Sequence, residues 1–156
     1  MEIERKYLLK YPENFWYKGY NHKRIVDQYV SKNVRFRNID DNPMWLCTIK
    51  GEGTLSRTEY ELPILVKPSF NILDYPLLKK TRYIVPYENQ NFEINVFDNI
   101  LYKDKKLCLV ELELFSENQD IYKPDWLGPE VTENTIFYGY NLWLLLKFKN
   151  SDLKIV

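Results

Sequence analysis

The sequence has few of the residues that build disulfide networks, histidine centres or membrane spans. Among its 156 residues are two cysteines and one histidine. Cys47 and Cys108 each stand alone in a strand-like run, so we expect buried thiols rather than a disulfide or a metal pair. His22 has no second histidine nearby, which predicts a surface turn residue. No apolar run approaches the ~18 residues of a membrane helix, so no membrane partner is expected.

An excess of charge of one sign is also missing. Basic and acidic residues number 22 each, and the formal net charge is zero. Without a basic field, nothing favours a nucleic-acid partner. The chain opens without a basic-then-apolar leader, and together with the isolated cysteines this predicts a cytoplasmic protein. A length of 156 residues with 45% hydrophobic content predicts one domain covering residues 1–156.

Strand-forming residues are abundant, especially Tyr, Phe, Val and Ile. The pattern predicts strands near 2–9, 24–31, 33–38, 44–50, 56–65, 80–86, 91–97 and 107–115. Helices are predicted over "PSFNILDYPLL" (68–78), after "PDWLGPEVT", and over 142–148. The fold class is therefore α+β but mainly β, an antiparallel barrel or a sandwich.

Charged residues recur on one face of most predicted strands, because successive side chains of a strand point to opposite faces. In "EIERK", Glu2, Glu4 and Lys6 share a face. The same alternation yields the acids Glu59, Glu61, Glu93, Glu111 and Glu113 and the bases Arg35, Arg37, Lys50, Arg57, Lys80 and Arg82. Alternation alone favours charged faces in water, the ordinary arrangement of antiparallel sheets. The alternative is a sheet that closes with these faces inward.

The composition of these faces favours the inward alternative, because they carry almost nothing but Glu, Arg and Lys. Acids form E-x-E pairs on three strands, and carboxylate oxygens are the ligands that Mg²⁺ and Mn²⁺ prefer. Arginine and lysine pairs suit phosphate oxygens. Acids beside bases in one cavity therefore predict a metal-bridged polyphosphate.

Several segments resemble, in order, the motifs of the CYTH superfamily, the triphosphate tunnel metalloenzymes. They are "EIERK", "VRFRN", "TIKGEGTLSRTEYEL", "KKTRY", "LVELEL" and "PDWLGPEVTENTIFY". The resemblance implies a closed eight-stranded antiparallel β-barrel that forms a tunnel, with a few helices packed outside. It also implies that the charged faces point inward.

The resemblance also implies roles for individual residues. The implied metal ligands are Glu2, Glu4, Glu59, Glu61, Glu111 and Glu113. The implied phosphate-binding residues are Lys6, Arg35, Arg37, Lys50, Arg57 and Arg82. Lys80 and Tyr29 match a catalytic pair of the compact members. Two alternatives stay open, since Tyr29 could simply pack in the core and Glu93 could be a structural partner for an arginine.

The implied activity is hydrolysis of a linear triphosphate, inorganic tripolyphosphate above all, to pyrophosphate and phosphate with Mg²⁺ or Mn²⁺. An adenylate cyclase, a thiamine triphosphatase and a non-catalytic polyphosphate- or nucleotide-binding module are the alternatives. A homodimer is left open. The sequence departs from the family pattern at Asn95, where aspartate is usual, at Gln28 within the usual Q-G-Y, and at Gly139, where asparagine is usual.

Overall fold

The computed structural model describes residues 1–64 and 75–148, together with the backbone of 152–153. Its strands are β1 Glu2–Leu9, β2 His22–Ser31, β3 Val34–Ile39, β4 Trp45–Lys50, β5 Ser56–Arg57, β6 Glu59–Ile64, β7 Leu78–Tyr87, β8 Gln90–Tyr102, β9 Lys105–Glu113, β10 Leu127–Glu130 and β11 Asp152–Leu153. The helices are α1 Gly139–Lys147 and three short 3-10 helices, Pro12–Asn14, Trp16–Gly19 and Thr135–Phe137.

Each predicted strand is found, although the one near 56–65 is interrupted at Thr58 and forms β5 and β6. The helix predicted over 68–78 lies mostly outside the described residues. The two later helices correspond to the turn Thr135–Phe137 and to α1, which begins three residues earlier than predicted. Both cysteines are free thiols. Cys108 is buried, as predicted, but Cys47 is only partly buried, so the prediction for Cys47 is wrong. No helix in the described part of the chain is long and apolar enough to span a membrane.

One sheet contains every strand, in the order β10-β1-β9-β8-β7-β2-β3-β4-β6, with β5 on β1 and β11 on β8. The pairs are antiparallel except for β11 with β8, which is parallel. Among the described residues this makes eleven strands rather than eight. Closure into a barrel is not confirmed. One edge of β1 pairs with β9, and the other edge pairs with β5 at Glu2 and Ile3 and with β10 further along, so β1 does not pair with β6. The path of paired strands therefore ends at β6 without returning to β10.

The charged face of the sheet is turned inward, so the arrangement favoured by alternation alone is wrong. Glu4, Lys6, Lys80 and Glu111 are between 5% and 8% exposed. The opposite face is apolar, and much of it is covered by short helices and loops. The helix Trp16–Gly19 packs on one core cluster, and α1 packs on a second. The hydrophobic effect acts on the outer face, and this leaves the inner face to form a polar cavity.

Candidate active site

The inner face of the sheet encloses a cavity of about 370 Å³. Side chains from nine strands, β1 to β9, reach it, because each strand contributes alternate residues to the same side. All the residues singled out from the sequence line it, namely Glu2, Glu4, Glu59, Glu61, Glu93, Glu111, Glu113, Lys6, Arg35, Arg37, Lys50, Arg57, Arg82, Lys80 and Tyr29. The fold therefore brings together every predicted ligand and every predicted phosphate contact, although their roles stay predictions.

Two groups of three carboxylates occupy one part of this cavity. Glu2, Glu4 and Glu113 form the first, and Glu4, Glu93 and Glu111 form the second. Within each group the carboxylate oxygens lie within 4.8 Å of one another. The antiparallel register produces this geometry, since it places Glu4 opposite Glu113 and Glu111 opposite Glu93. Glu4 belongs to both groups, so it is the acid through which they are connected.

Basic side chains surround these acids. Lys6 Nζ lies 3.6 Å from Glu4 Oε1 and 3.9 Å from Glu111 Oε1. Arg82 contacts Glu93 at 3.1 Å and Glu111 at 3.8 Å. Charge balance between acids and bases lets so many ionisable groups share a buried volume.

Glu59 and Glu61, which the resemblance gives as metal ligands, line the cavity outside both carboxylate groups. Glu59 Oε2 lies 3.6 Å from Lys50 Nζ. Glu61 accepts a hydrogen bond from the Thr48 hydroxyl at 3.3 Å. Both acids are on β6, at the end of the path of paired strands. Glu59 is also hydrogen-bonded with Glu2 of the first carboxylate group, and both acids face a ligand in the cavity.

The acids differ in pKa because their surroundings differ. Burial opposes ionisation of Glu2, but hydrogen bonding with Glu59 and the charges of Lys50 and Arg57 lower its pKa to about 2. For Glu4, burial and then the charge of Glu111 raise the pKa well above its ordinary value.

Glu111 shows the opposite behaviour to its neighbour Glu4. Burial raises its pKa, but Lys6, Lys80 and Arg82 outweigh that effect and lower it. Close carboxylates behave this way when one holds its charge at the expense of the other. Either a proton or a cation must compensate the pair.

Lys80 is a buried cavity base whose charge is not balanced by a directly paired carboxylate among the described residues. It is 5% exposed and forms no ion pair with any carboxylate in the described part of the chain. Burial, then the charges of Arg82 and Arg37, lower its pKa well below the usual value. Burial raises the pKa of Tyr29. The two members of the predicted catalytic pair are therefore shifted in opposite directions, toward a neutral amine and a neutral phenol.

The donors and acceptors of the cavity are suited to a divalent cation with a polyphosphate. The carboxylate groups offer only oxygen, which hard cations prefer. Glu59 Oε2 is buried without a hydrogen-bond partner in the described structure, and so is the donor Arg35 Nε. Buried polar atoms are normally paired, so both atoms indicate a ligand that would supply the missing contacts.

Comparisons with known proteins agree with this chemistry. No protein-family model matches the chain. An inorganic triphosphatase of Acetivibrio thermocellus is 37% identical over 116 residues, which cover 71% of this chain and 71% of the relative. An inorganic triphosphatase of Nitrosomonas europaea is 36% identical over 147 residues, covering 85% of this chain and 90% of the relative. The chain belongs to the family of inorganic triphosphatases.

A solved structure gives the same result for the fold of this triphosphatase. The crystal structure of the inorganic triphosphatase NE1496 superposes with a TM-score of 0.58 at 27% identity, covering 92% of this chain and 95% of that one. A Pyrococcus horikoshii protein, PH1012, shares the fold with a TM-score of 0.53 at 20% identity. The resemblance to the CYTH superfamily is thereby confirmed.

The Tyr29 hydroxyl is packed against Gly139, the residue that departs from the family pattern. A Cβ atom at Gly139 would lie 2.3 Å from Tyr29 Oη. The Tyr29 ring also contacts Tyr140 and Trp143 of α1, with centroids 5.7 and 6.1 Å away. Tyr29 thus packs in the core and also lines the cavity. A packing role and the implied catalytic role are therefore compatible for this residue.

We expect Gly139→Ala to displace the Tyr29 ring and to destabilise this triphosphatase by about 1–3 kcal/mol, the usual cost of overpacking. The free energy of unfolding in urea measures the effect. Gly19→Ala is the matched control, because no atom lies within 4 Å of a Cβ at Gly19. Equal stabilities of the two variants would contradict the packing of Tyr29 against Gly139.

Two cavity residues, Asp27 and Tyr138, were missed by the sequence reasoning. Asp27 accepts hydrogen bonds from Arg37 Nε at 2.7 Å and Nη2 at 2.9 Å. It precedes Tyr29 by two residues on β2, so strand periodicity places both on one face and could have found it. Tyr138 lies outside any strand, and its ring centroid is 5.2 Å from Lys6 Nζ and 5.9 Å from Arg57 Cζ. No periodic signal marks such a position.

Asn95, which stands where the family pattern has aspartate, is fully buried on the same face of β8 as Glu93. Its Oδ1 accepts a hydrogen bond from Arg82 Nε at 2.8 Å, and its Nδ2 donates to the Leu109 carbonyl at 3.4 Å. The amide satisfies a donor requirement that a carboxylate could not. Asn95 therefore orients Arg82 without adding charge.

Proposed function

We propose that this protein hydrolyses inorganic tripolyphosphate to pyrophosphate and phosphate, with Mg²⁺ or Mn²⁺ bound to the central carboxylates. The observation that supports this best is the position of two three-carboxylate groups in a cavity with basic side chains. One of these bases, Arg35, has a buried Nε donor without a hydrogen-bond partner in the described structure. Both curated relatives described above are inorganic triphosphatases. Phosphoryl transfer needs positioning and stabilisation of negative charge, and these side chains are suited to both tasks.

Glu2, Glu4, Glu111 and Glu113 would hold the cation, with Glu93 completing the second group and with Glu59 and Glu61 reaching the ligand from β6. Such a cation neutralises phosphate charge and lowers the pKa of a bound water. The acids of each group, which repel one another without it, account for the preference for a divalent ion.

The bases would bind the phosphoryl groups. Arg35 Nε is buried and has no hydrogen-bond partner among the described residues, and Arg37, Lys50, Arg57, Arg82 and Lys6 line the same cavity. Arginine donors match phosphate oxygens in geometry and hold the chain in line for attack. Lys6 and Arg57 are held near the Tyr138 ring, whose cation–π contacts limit their motion.

Lys80 and Tyr29 would act on the attacking water. Lys80, shifted toward its neutral form, accepts the proton that the water loses, while Tyr29 remains protonated and donates a hydrogen bond. One water is consumed, one P–O–P bond breaks, and phosphate and pyrophosphate leave.

A substrate panel tests the proposal. We expect release of phosphate and pyrophosphate from tripolyphosphate with Mg²⁺ or Mn²⁺, and none with a chelator or in Glu113→Ala. ATP assayed for cyclic AMP, and thiamine triphosphate assayed for phosphate, separate the cyclase and thiamine triphosphatase alternatives. Thermal stabilisation by tripolyphosphate without turnover would instead identify a binding module. Hydrolysis that survives chelation would overturn the mechanism.

Three finer features implied by the sequence belong to the same proposal. A closed eight-stranded barrel would require β6 to pair with β10 or β1, a contact that the described strands do not make. A homodimer and a cytoplasmic location are the other two. Size-exclusion chromatography with light scattering measures the oligomeric state directly.

A further inference from the structure

Thr48 is a fully buried polar residue on the inner face of β4. It shares that face with Leu46 and Lys50, because alternate residues of a strand point to the same side. Leu46 and Lys50 line the cavity, whereas Thr48 is 0% exposed. Strand register places Arg35 of β3 opposite Thr48 on one side and Glu61 of β6 opposite it on the other. Thr48 therefore lies between a base and an acid of the cavity and can act on a ligand only through them.

The Thr48 hydroxyl connects these two charged side chains. It accepts a hydrogen bond from Arg35 Nη2 at 3.1 Å and donates one to Glu61 Oε2 at 3.3 Å. A hydroxyl has one donor hydrogen and two acceptor lone pairs, while arginine only donates and an ionised carboxylate only accepts. The hydroxyl hydrogen is therefore directed to Glu61 and a lone pair to Arg35. Glu61 in this way fixes the direction of the group that holds Arg35.

Arg35 is held differently from the other three arginines that line the cavity. Each of those has a carboxylate oxygen within 3.1 Å, in the pairs Arg37–Asp27, Arg57–Glu2 and Arg82–Glu93. Arg35 Nε lies 3.9 Å from Asp27 Oδ1, which is beyond hydrogen-bonding distance. The bond to Thr48 is the one hydrogen bond that the Arg35 side chain makes in the described structure. Because this partner is uncharged, the positive charge of Arg35 stays available to an anionic ligand.

The bond to Thr48 also fixes where the other donors of Arg35 point. The guanidinium group is planar and rigid, so a bond at Nη2 restricts the directions of the remaining N–H groups. One of them, Nε, is buried and has no partner among the described residues. A donor that is already oriented loses less conformational freedom when its ligand binds, and the ligand is bound more tightly as a result.

We propose that Thr48 is a positioning residue that holds the Arg35 guanidinium in the orientation that binds a phosphoryl group. The inference rests on the proposed function, since it assumes that Arg35 binds phosphate. Thr48 sets the direction of the guanidinium, and Glu61 sets the direction of the Thr48 hydroxyl. Thr48 itself does not touch the substrate.

Thr48→Val tests this, because valine has nearly the shape of threonine but no hydroxyl. We expect the dissociation constant for tripolyphosphate, measured by calorimetry with a chelator present, to rise on the order of tenfold, the effect of losing one hydrogen bond to a charged group. KM for hydrolysis is expected to rise by the same factor with kcat within about twofold of wild type, because an interaction that is equal in the ground and transition states changes KM alone. The binding measurement depends neither on a metal nor on turnover.

Thr48→Ser separates orientation of Arg35 from packing. Serine keeps the hydroxyl and loses a methyl group, so it should keep the dissociation constant and KM within about threefold of wild type. A packing role for Thr48 predicts the opposite order, with serine as the weaker variant and valine close to wild type. If Thr48→Val does not fold, Thr48→Ala removes the same hydroxyl and takes its place in the comparison.

The control is Thr81→Val, which removes another threonine hydroxyl that holds an arginine. Thr81 Oγ1 accepts a hydrogen bond from Arg24 Nη1 at 2.7 Å. It lies on the opposite face of β7 from the cavity-lining Lys80, because neighbouring residues of a strand point to opposite sides. This substitution is expected to leave the dissociation constant and KM unchanged.

The two hypotheses fail in different ways. A wild type that binds tripolyphosphate without hydrolysing it would overturn the proposed function, while the dissociation constants of the Thr48 variants would still report on Thr48. Hydrolysis by the wild type with an unchanged dissociation constant in Thr48→Val would refute the role of Thr48 alone. A serine variant as weak as the valine variant would refute it too. Absence of both binding and hydrolysis in the wild type would contradict both hypotheses.

Discussion

Replacement of Glu4 by glutamine is expected to abolish hydrolysis while leaving the metal-free protein at least as stable as the wild type. Glu4 is the one acid shared by both carboxylate groups in the described structure, so its loss breaks both. We expect kcat/KM for tripolyphosphate to fall by at least about a hundredfold to a thousandfold, the effect of removing one preorganised charged group. The assay is phosphate release with saturating Mg²⁺ or Mn²⁺.

The stability expectation follows from the electrostatics of Glu4. Burial and the charge of Glu111 raise the pKa of Glu4, so its ionised form is disfavoured in the folded state. A raised carboxyl pKa lowers stability above the ordinary value of 4.5 and has no cost well below it. Glutamine cannot ionise, and Lys6 keeps Glu111 as a partner at 3.9 Å. Glu4→Gln is therefore expected to unfold at a higher temperature than the wild type at pH 7, with the difference vanishing below pH 4.5.

Metal binding gives a third readout. A ligand that binds only the folded state raises its melting temperature, so Mg²⁺ or Mn²⁺ should stabilise the wild type and not Glu4→Gln. Glu130→Gln is the control, because Glu130 is an exterior acid paired with Arg5 at 2.9 Å. An equal metal-induced rise in both variants would show that the carboxylate groups are not the metal site.

Strand periodicity predicted most of the site because it depends on backbone geometry rather than on detailed packing. Successive side chains alternate, so Glu111 and Glu113 had to share a face once β9 was recognised as a strand. What alternation lacked was a means to tell the inner face from the outer one. The residue types on the faces, and then the ordered motifs, supplied that information.

The strand β10 was missed for a physical reason. Its sequence, "LGPE", contains glycine and proline, which both weaken strands. Its position on β1 depends on Gly128, because a Cβ there would lie 2.5 Å from the Leu8 carbonyl oxygen. Only the contact between the two strands in the folded protein shows that β10 can pair with β1 because Gly128 has no side chain. The same second edge of β1 is shared by β5, and this departure from a simple barrel could not be predicted from alternation.

Replacement of Lys80 by methionine is the second change with a large expected effect. Hydrolysis should fall about a hundredfold to ten-thousandfold, the usual contribution of a positioned acid or base. Lys80→Arg separates the two roles open to this residue, because arginine stays charged and cannot accept a proton. If Lys80 accepts the water proton, arginine is expected to be as inactive as methionine. An arginine variant within about tenfold of wild type would instead assign Lys80 to phosphate binding.

The free energy of unfolding reports on the buried charge of Lys80 without any substrate. Burial, Arg82 and Arg37 lower the pKa of Lys80 below 10.5, so the folded state holds fewer protons than the unfolded state between the two pKa values. The loss of stability caused by burying the charged Lys80 is largest below the pKa of Lys80 in the folded state. It disappears as the pH rises to 10.5. Lys80→Met should therefore be more stable than wild type at neutral pH, with the gain shrinking toward alkaline pH. Lys79→Met, one residue away on the exposed outer face, is the control for loss of a lysine from this strand. A gain that is independent of pH would mean that the charge of Lys80 is not the cause.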